Sequence, residues 1–547
     1  MSLAVHQDDA DVLLHSKNVL DDRIVEKYRV AGQIVQTALV YLESIIANPP
    51  NGAIPTITDL CVLTDSYMAK LLAKAFTSVR EKGIAVPTQI DINELASGFA
   101  PEVVDEKGST YVLSVGDVAK VTLGVHIDGY TATVSHTIVV YPQEGERAPL
   151  VGAKADAVCA AHVATETLVA YLGLVLAPEK TPQSFRVNGA AQVTGSQIRQ
   201  IVDTIADAYN CVVVPGSKVR RVRRFLAGQA EGIVAEREFK GVVWDESHQE
   251  SKLLAQAAGT DLIKRDATVK SDPNSAIPTD DFVVEAGEVF QIDIRMAPMR
   301  EMTTAGIVTL EEIDHFTGKN GKNEFNCRPT MFVRDYAVTH QLKLKSARKL
   351  LAHVDKKFTV YPFKLTYCSS QFPLPDESAE TLEKLVADVK QNKLGLAEVQ
   401  NRHLVKAKPI QMAKFIDLKT VVDSCTTTGR HGVDAAKPVL PGMEVPLPQL
   451  GMTSLKLKSL LKHAVSVPVV REATTVVLNQ VDGEVLRLTG GSAAPVAYVH
   501  SDYTLPESVA APIGELMALT QDAKYGLTVK QCKHYKVDFG ASEMQLD

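Results

Sequence analysis

The residues of this chain best suited to chemistry are clustered cations. Lys218, Arg220, Arg221, Arg223 and Arg224 place five positive charges within seven residues. Lys343, Lys345, Arg348 and Lys349, followed by Lys356 and Lys357, form a second basic segment, and Lys456, Lys458 and Lys462 a third. Cations at this density can contact the phosphates of a nucleic acid, which gives affinity without sequence specificity. The alternative for each is a solvated basic face, and for the third cluster that is the reading adopted. The chain contains no G-x-S-x-G nucleophile elbow, no H-E-x-x-H metal motif and no G-x-x-x-x-G-K-[ST] phosphate loop. Its seven cysteines, at positions 61, 159, 211, 327, 368, 425 and 532, are scattered and form no C-x-x-C pair of the structural zinc type. His126 stands beside Asp128, and its place near a turn predicts an exposed ring.

The elements that must position these residues alternate in type along the chain. From Asp21 to Ala47 the apolar residues Ile24, Tyr28, Ala31, Val35, Ala38, Leu42 and Ile45 recur every three or four positions, the stripe of a long amphipathic helix. A second helix is predicted from about Thr58 to Lys82. The β-branched run from Asp117 to Val140 has Asp128-Gly129 at its centre, which predicts a hairpin with a two-residue turn and sets Thr122 opposite Ser135, with Thr133 two residues on along the same face. Helical signals return at 151–173 and 196–208 and near Ser346, and strand signals at Cys211–Val214 and Val289–Ile294. The fold class is α+β, without tandem repeats.

Composition narrows the setting. A chain of 547 residues with 45% hydrophobic and 22% charged content can bury a large core. Its net charge of -7 excludes a protein that coats nucleic acid with its whole surface, so any RNA contact is local. The first twenty residues lack a basic region before an apolar stretch, and no later run approaches the roughly 20 apolar residues of a membrane span. The reading is a protein neither secreted nor membrane-spanning, with cysteines suited to a reducing compartment.

Five segments in order and spacing carry a resemblance: GIAVPTQIDINELASGFAP (83–101), KVTLGVHIDGYTATVSHTIVV (120–140), RRFLAGQAEG (223–232), VFQIDI (289–294) and LKLKSARKLLAHVDKKFTVYPFKL (342–365). Together they resemble the methionine aminopeptidase family, with its pita-bread fold, and in particular its non-peptidase branches. The match spans about 20–295 and 340–412, and is weaker at 465–480. Active members hold two divalent metals with two aspartates, a histidine and two glutamates, and use a second histidine near the substrate. Carried over, the aspartate positions fall on Thr122 and Thr133, the metal-binding histidine on Gln229 and the substrate histidine on Gly98. The glutamate positions fall on Asp293 and Ala473; the neighbouring Glu472 lies on the other side of its strand. Neutral hydroxyls and an amide replace neither the charge nor the bridging capacity of carboxylates, which hard cations need. A lone Asp293 reads as a capping or salt-bridged carboxylate. The resemblance therefore implies a protein that is not an enzyme and has no catalytic residue, metal or cofactor.

Among the non-peptidase branches, the proliferation-associated proteins are shorter and end in a lysine-rich tail. This chain ends SEMQLD and carries apparent insertions at 296–335 and 418–452, so it is more similar to the fungal export factors of the large ribosomal subunit precursor. The domain reading is an N-terminal extension at 1–20, a pita-bread domain at 21–485 and a C-terminal extension at 486–547, with loops after Gly490. What this branch implies is binding to the pre-60S particle, its RNA and proteins, near the peptide exit tunnel, and contact with phenylalanine-glycine repeats of nuclear pores. It also implies shuttling between nucleus and cytoplasm, a possible small accessory partner, and no membrane. The candidate RNA contacts are Lys218, Arg220, Arg221, Arg223, Arg224, Lys343, Lys345, Arg348 and Lys349. The alternatives are a residual metallopeptidase and an RNA-binding regulator of the proliferation-associated type.

Overall fold

The computed structural model describes residues 12, 15–49, 52–104, 111–142, 147–186, 189–225, 240–246, 248, 249, 252, 280–313, 328–417, 461, 464–522 and 524–536. The insertion at 418–452, the third basic cluster, Gln229 and residues 314–327 lie outside them.

The first helix, α1 (Asp22–Ala47), begins where the Asp21 carboxylate accepts the Ile24 amide at 2.7 Å, a side-chain N-cap. All seven residues of its predicted stripe are buried. The second, α2 (Ile57–Lys74), is capped by Thr56 but stops eight residues before the predicted end, because Phe76 turns the chain with a positive φ and residues from Lys82 pair in a sheet. Long-range pairing overrides local helical preference there. Strands β1 (Lys82–Ile92) and β2 (Leu95–Ser97) follow, then the hairpin β3 (Val118–Ile127) and β4 (Tyr130–Val139). Its turn is made by Asp128 at φ 55° and Gly129 at φ 81°, the two left-handed residues of a type I′ turn. Thr122 does lie opposite Ser135, and Thr133 opposite Gly124. The Asp128 carboxylate takes Lys27 and Arg224, each at 2.5 Å, and so ties the hairpin tip to α1.

Helices α3 (Ala153–Gly173) and α4 (Gly195–Ala208) precede β5 (Cys211–Val213), β6 (Lys218–Val222), β7 (Gly241–Val243) and β8 (Val289–Pro298). Strand β9 (Gly306–Ile313) lies inside the supposed insertion at 296–335. Helices α5 (Lys345–Lys357) and α6 (Ala379–Asn401) lead to β10 (Ile410–Asp417), β11 (Val465–Ser466), β12 (Val470–Asn479) and β13 (Glu484–Arg487). The chain beyond Gly490 contains α7 (Glu507–Gln521) and β14 (Val529–Gln531), which pairs parallel with β13.

The main sheet has ten strands and runs β1-β3-β4-β12-β8-β6-β7, with β13 beside β12, β14 beside β13, and β5 beside β8. A four-stranded sheet joins β9, β10, β11 and β2. Helices α1, α3 and α4 pack on one face of the main sheet, where Val121, Leu123, Val134, Ile292, Ile294 and Val476 form its apolar side. Helices α1 and α3 are also long and apolar enough to cross a membrane, which corrects the reading that no run approaches a span; most of each apolar window is buried inside the protein, as in core helices.

Candidate functional site

Antiparallel register sets the polar residues of the other face in rows. One row crosses six strands: Gln89 on β1, Thr122 on β3, Ser135 on β4, Ala473 on β12, Asp293 on β8 and Lys218 on β6. The next row, one pleat away, carries Asp91, Lys120, Thr137, Arg471 and Arg295. Four of the six family positions, Thr122, Thr133, Ala473 and Asp293, thus meet on one sheet face although they are spread over some 350 residues of sequence.

Asp293 is the centre of this face. The Arg471 guanidinium donates to both its oxygens, at 2.7 and 2.8 Å, and turns its remaining nitrogen to the Thr122 hydroxyl at 3.3 Å. Arg295 stands 3.7 Å away. Burial alone would raise the Asp293 pKa, but Arg471 and Arg295, with Lys218, hold it well below the usual carboxylate range. Such a fork pairing satisfies a carboxylate in two directions at once. Thr122 also bonds Ser135 at 2.8 Å, and the Thr133 hydroxyl accepts from the Gln291 amide at 2.9 Å. Ala473 presents only a methyl group. Glu472 lies on the opposite side of the strand, bonded to His136 at 3.0 Å and to the Thr137 amide at 2.9 Å.

Gly98 has φ +99°, and its amide donates to Gln89 Oε1 at 2.9 Å. A Cβ there would lie 2.7 Å from the Pro409 carbonyl oxygen, so no histidine fits without moving the backbone. His126 is not exposed, contrary to the expectation from its place near the turn. It is buried and stacked on Tyr361 with ring centroids 3.9 Å apart, because β3 alternation turns it to the polar face, and burial pushes its pKa down to about 3.

The first basic stretch divides by strand alternation. Arg221 is buried and bonded to Glu288 at 3.0 Å, Arg223 is buried, and Arg224 is held by Asp128. Lys218 and Arg220 are half-buried on the polar face. Lys343, Lys345, Arg348 and Lys349 are all exposed, as are Lys356 and Lys357. The residues that sequence reasoning missed are Arg471, Arg295 and Lys408. A signal was present for two of them: Arg471 and Arg295 each stand two residues from a family position on the same strand, hence on the same face.

A pair of divalent metals would need several carboxylates free to coordinate. Among the described family positions only Asp293 is a carboxylate, and Arg471 occupies both its oxygens. No group of three or more metal-ligating residues exists among the described residues. The residues on this face therefore do not fit the metal pair.

No protein-family model matches the chain. It is 55% identical, over all of both chains, to "Probable metalloprotease ARX1" of Candida albicans. It is 45% identical to the protein of the same name in Saccharomyces cerevisiae, over 98% of this chain and 97% of that one. Among solved structures, a thermophilic Arx1 superposes with a TM-score of 0.56 at 18% identity, covering 90% of this chain and 98% of that one. The pita-bread fold is thereby shown. The expectation that the chain is not an enzyme is corrected: its full-length relatives are named as probable metalloproteases, which places them by name with the peptidases. With that identity over its whole length, the chain belongs to the ARX1 family of probable metalloproteases.

Proposed function

We propose that this protein is a ribosome-assembly factor that binds the large-subunit precursor near the peptide exit tunnel and accompanies it through nuclear export and cytoplasmic maturation. The partner is taken from the resemblance to the fungal export factors. The observation that carries the binding mode is the surface of α5 and the segment before it. Lys343, Lys345, Arg348, Lys349, Lys356 and Lys357 are all exposed there. The nearby acids are already engaged, Glu398 by the amides of Lys343 and Leu344 at 2.7 and 2.8 Å and Asp355 by Arg334 at 2.9 Å. His353 senses the resulting field: its pKa is lowered by burial and then by Lys357, Lys349 and Lys356. A surface of this kind takes phosphates along an RNA backbone. Contact with phenylalanine-glycine repeats, shuttling and a small accessory partner belong to the same reading.

The test is sedimentation of the tagged chain from cell extract, as wild type and as Lys345→Glu/Arg348→Glu/Lys349→Glu. The wild type is expected to travel with large-subunit precursors and the variant to move largely to the free pool. Free sedimentation of the wild type would sink the reading. Salt-sensitive binding to free structured RNA, without preference for the particle, would instead favour a general RNA-binding regulator. The peptidase reading rests on the relatives' names and has its own assay, metal-dependent release of N-terminal methionine from peptides.

A further inference from the structure

The polar face of the main sheet holds more positive charge than its own acids balance. Around Asp293 stand Arg471, Arg295 and Lys218, Lys408 lies near the two guanidiniums, and among the described residues the other acid beside them is Asp91, one row away. Arg471 is fully engaged by Asp293 and Thr122. Arg295 is not. It lies 3.7 Å from Asp293 and 3.5 Å from Gln411 Oε1, and its buried Nε has no hydrogen-bond partner among the described residues. Lys218 and Lys408 are half-buried, and neither ammonium has a hydrogen-bond or salt-bridge partner among the described residues.

Crowded, partly buried cations are unfavourable unless an anion joins them. The lysines register this: burial first, then neighbouring guanidiniums, push Lys218 and Lys408 each down to about 8. An orphaned buried guanidinium nitrogen is a second, independent sign of a missing acceptor. In the metal-binding relatives of the resemblance, carboxylates here would surround cations; here the chain's own cations surround one carboxylate and leave donors over.

We propose that this cation cluster is an oxyanion site, in which Lys218, Lys408 and the unpartnered Nε of Arg295 hold a carboxylate or phosphate group beside the Arg471–Asp293 pair. The inference does not rest on the ribosomal reading, since it concerns a different face from the α5 surface and its test uses the isolated full-length protein.

Thermal unfolding is followed with acetate, citrate or inorganic phosphate against chloride at matched ionic strength, for the wild type and for Lys218→Gln/Lys408→Gln. Removing two crowded cations is expected to leave the variant folded, with an unchanged or higher Tm in chloride. In the wild type an oxyanion well above its Kd is expected to raise Tm by about 1–2 °C over chloride, by binding only the native state. That increment is expected to vanish in the variant. A rise with acetate and citrate only assigns a carboxylate ligand, such as an acidic side chain or chain end of a peptide; a rise with phosphate only assigns a phosphate-bearing one. No oxyanion-specific rise in the wild type, or an equal rise in the variant, overturns the site.

Discussion

Asp293 shows what happens to a ligand position when its metals' charge is supplied by the chain. A buried carboxylate is tolerated only when paired and hydrogen-bonded, and Arg471 meets both needs with a two-pronged contact. Removing one partner strands the other. Arg471→Met is therefore expected to destabilise the protein by roughly 3–5 kcal/mol, read by urea unfolding. Arg471→Lys should recover only part of that, because an ammonium cannot reproduce the fork. If Arg471→Met unfolds at the wild-type midpoint, the pair contributes nothing and this account of the site fails. Gly98 makes a second residue-scale case. At φ +99° with the Pro409 carbonyl 2.7 Å from where a Cβ would stand, Gly98→Ala is expected to lower stability by about 1–3 kcal/mol. The same measurement on Gly52→Ala, where no atom lies within 4 Å, isolates the clash from the strain of positive φ alone.

Between elements, α1 is fastened to the sheet by a buried charge relay. His136 on β4 contacts Glu472 on β12 at 3.0 Å and approaches Glu43 on α1 to 3.9 Å. Burial would lower the His136 pKa, but Glu472 and then Glu43 raise it to about 9. A folded pKa above the unfolded value means the stabilisation is full below about 6.5 and is lost as pH rises through about 9. Glu43, raised to about 7 mainly by burial, acts in the same direction, since ionising it also disfavours the folded state. The stability advantage of the wild type over His136→Gln is thus expected to shrink as pH rises from 6 to 10, because the His136 contribution is lost in that window, measured by unfolding of both at each pH. Equal slopes would refute the relay. Sequence reading reaches the parts of these elements that depend on local periodicity: the α1 stripe, the hairpin turn at Asp128-Gly129, and Thr122 opposite Ser135. It does not reach contacts created by pairing β8 with β12. Arg471 and Asp293 are 178 residues apart, and only their register makes them partners. For the same reason His126 reads as a turn histidine, since Tyr361, which covers it, arrives from far along the chain.

At the scale of the whole molecule, the C-terminal region decides whether the fold is complete at β13 or depends on the residues beyond it. Sequence alone reads this region as an extension, yet Ile513 and Leu516 on α7 and Leu527 beyond it are buried in the same cluster as α3. Strand β14 continues the main sheet by pairing with β13, the Cys532 amide donates to the Arg487 carbonyl at 2.9 Å, and the Tyr535 amide reaches the Thr37 hydroxyl of α1 at 3.0 Å. The segment therefore closes a circuit between α1, α3 and the sheet. Burying three Leu/Ile side chains stabilises by about 1.5–3 kcal/mol each, so together they approach the roughly 5–15 kcal/mol that separates a typical native domain from its unfolded chain. A chain ending at Leu505 also uncovers the part of α3 on which α7 packs. Such a truncation is expected to be largely unfolded or insoluble at 37 °C. A soluble truncation at Leu505 that unfolds cooperatively near the wild-type Tm would show instead that the core is complete without this region, and that α7 and β14 merely lie against it.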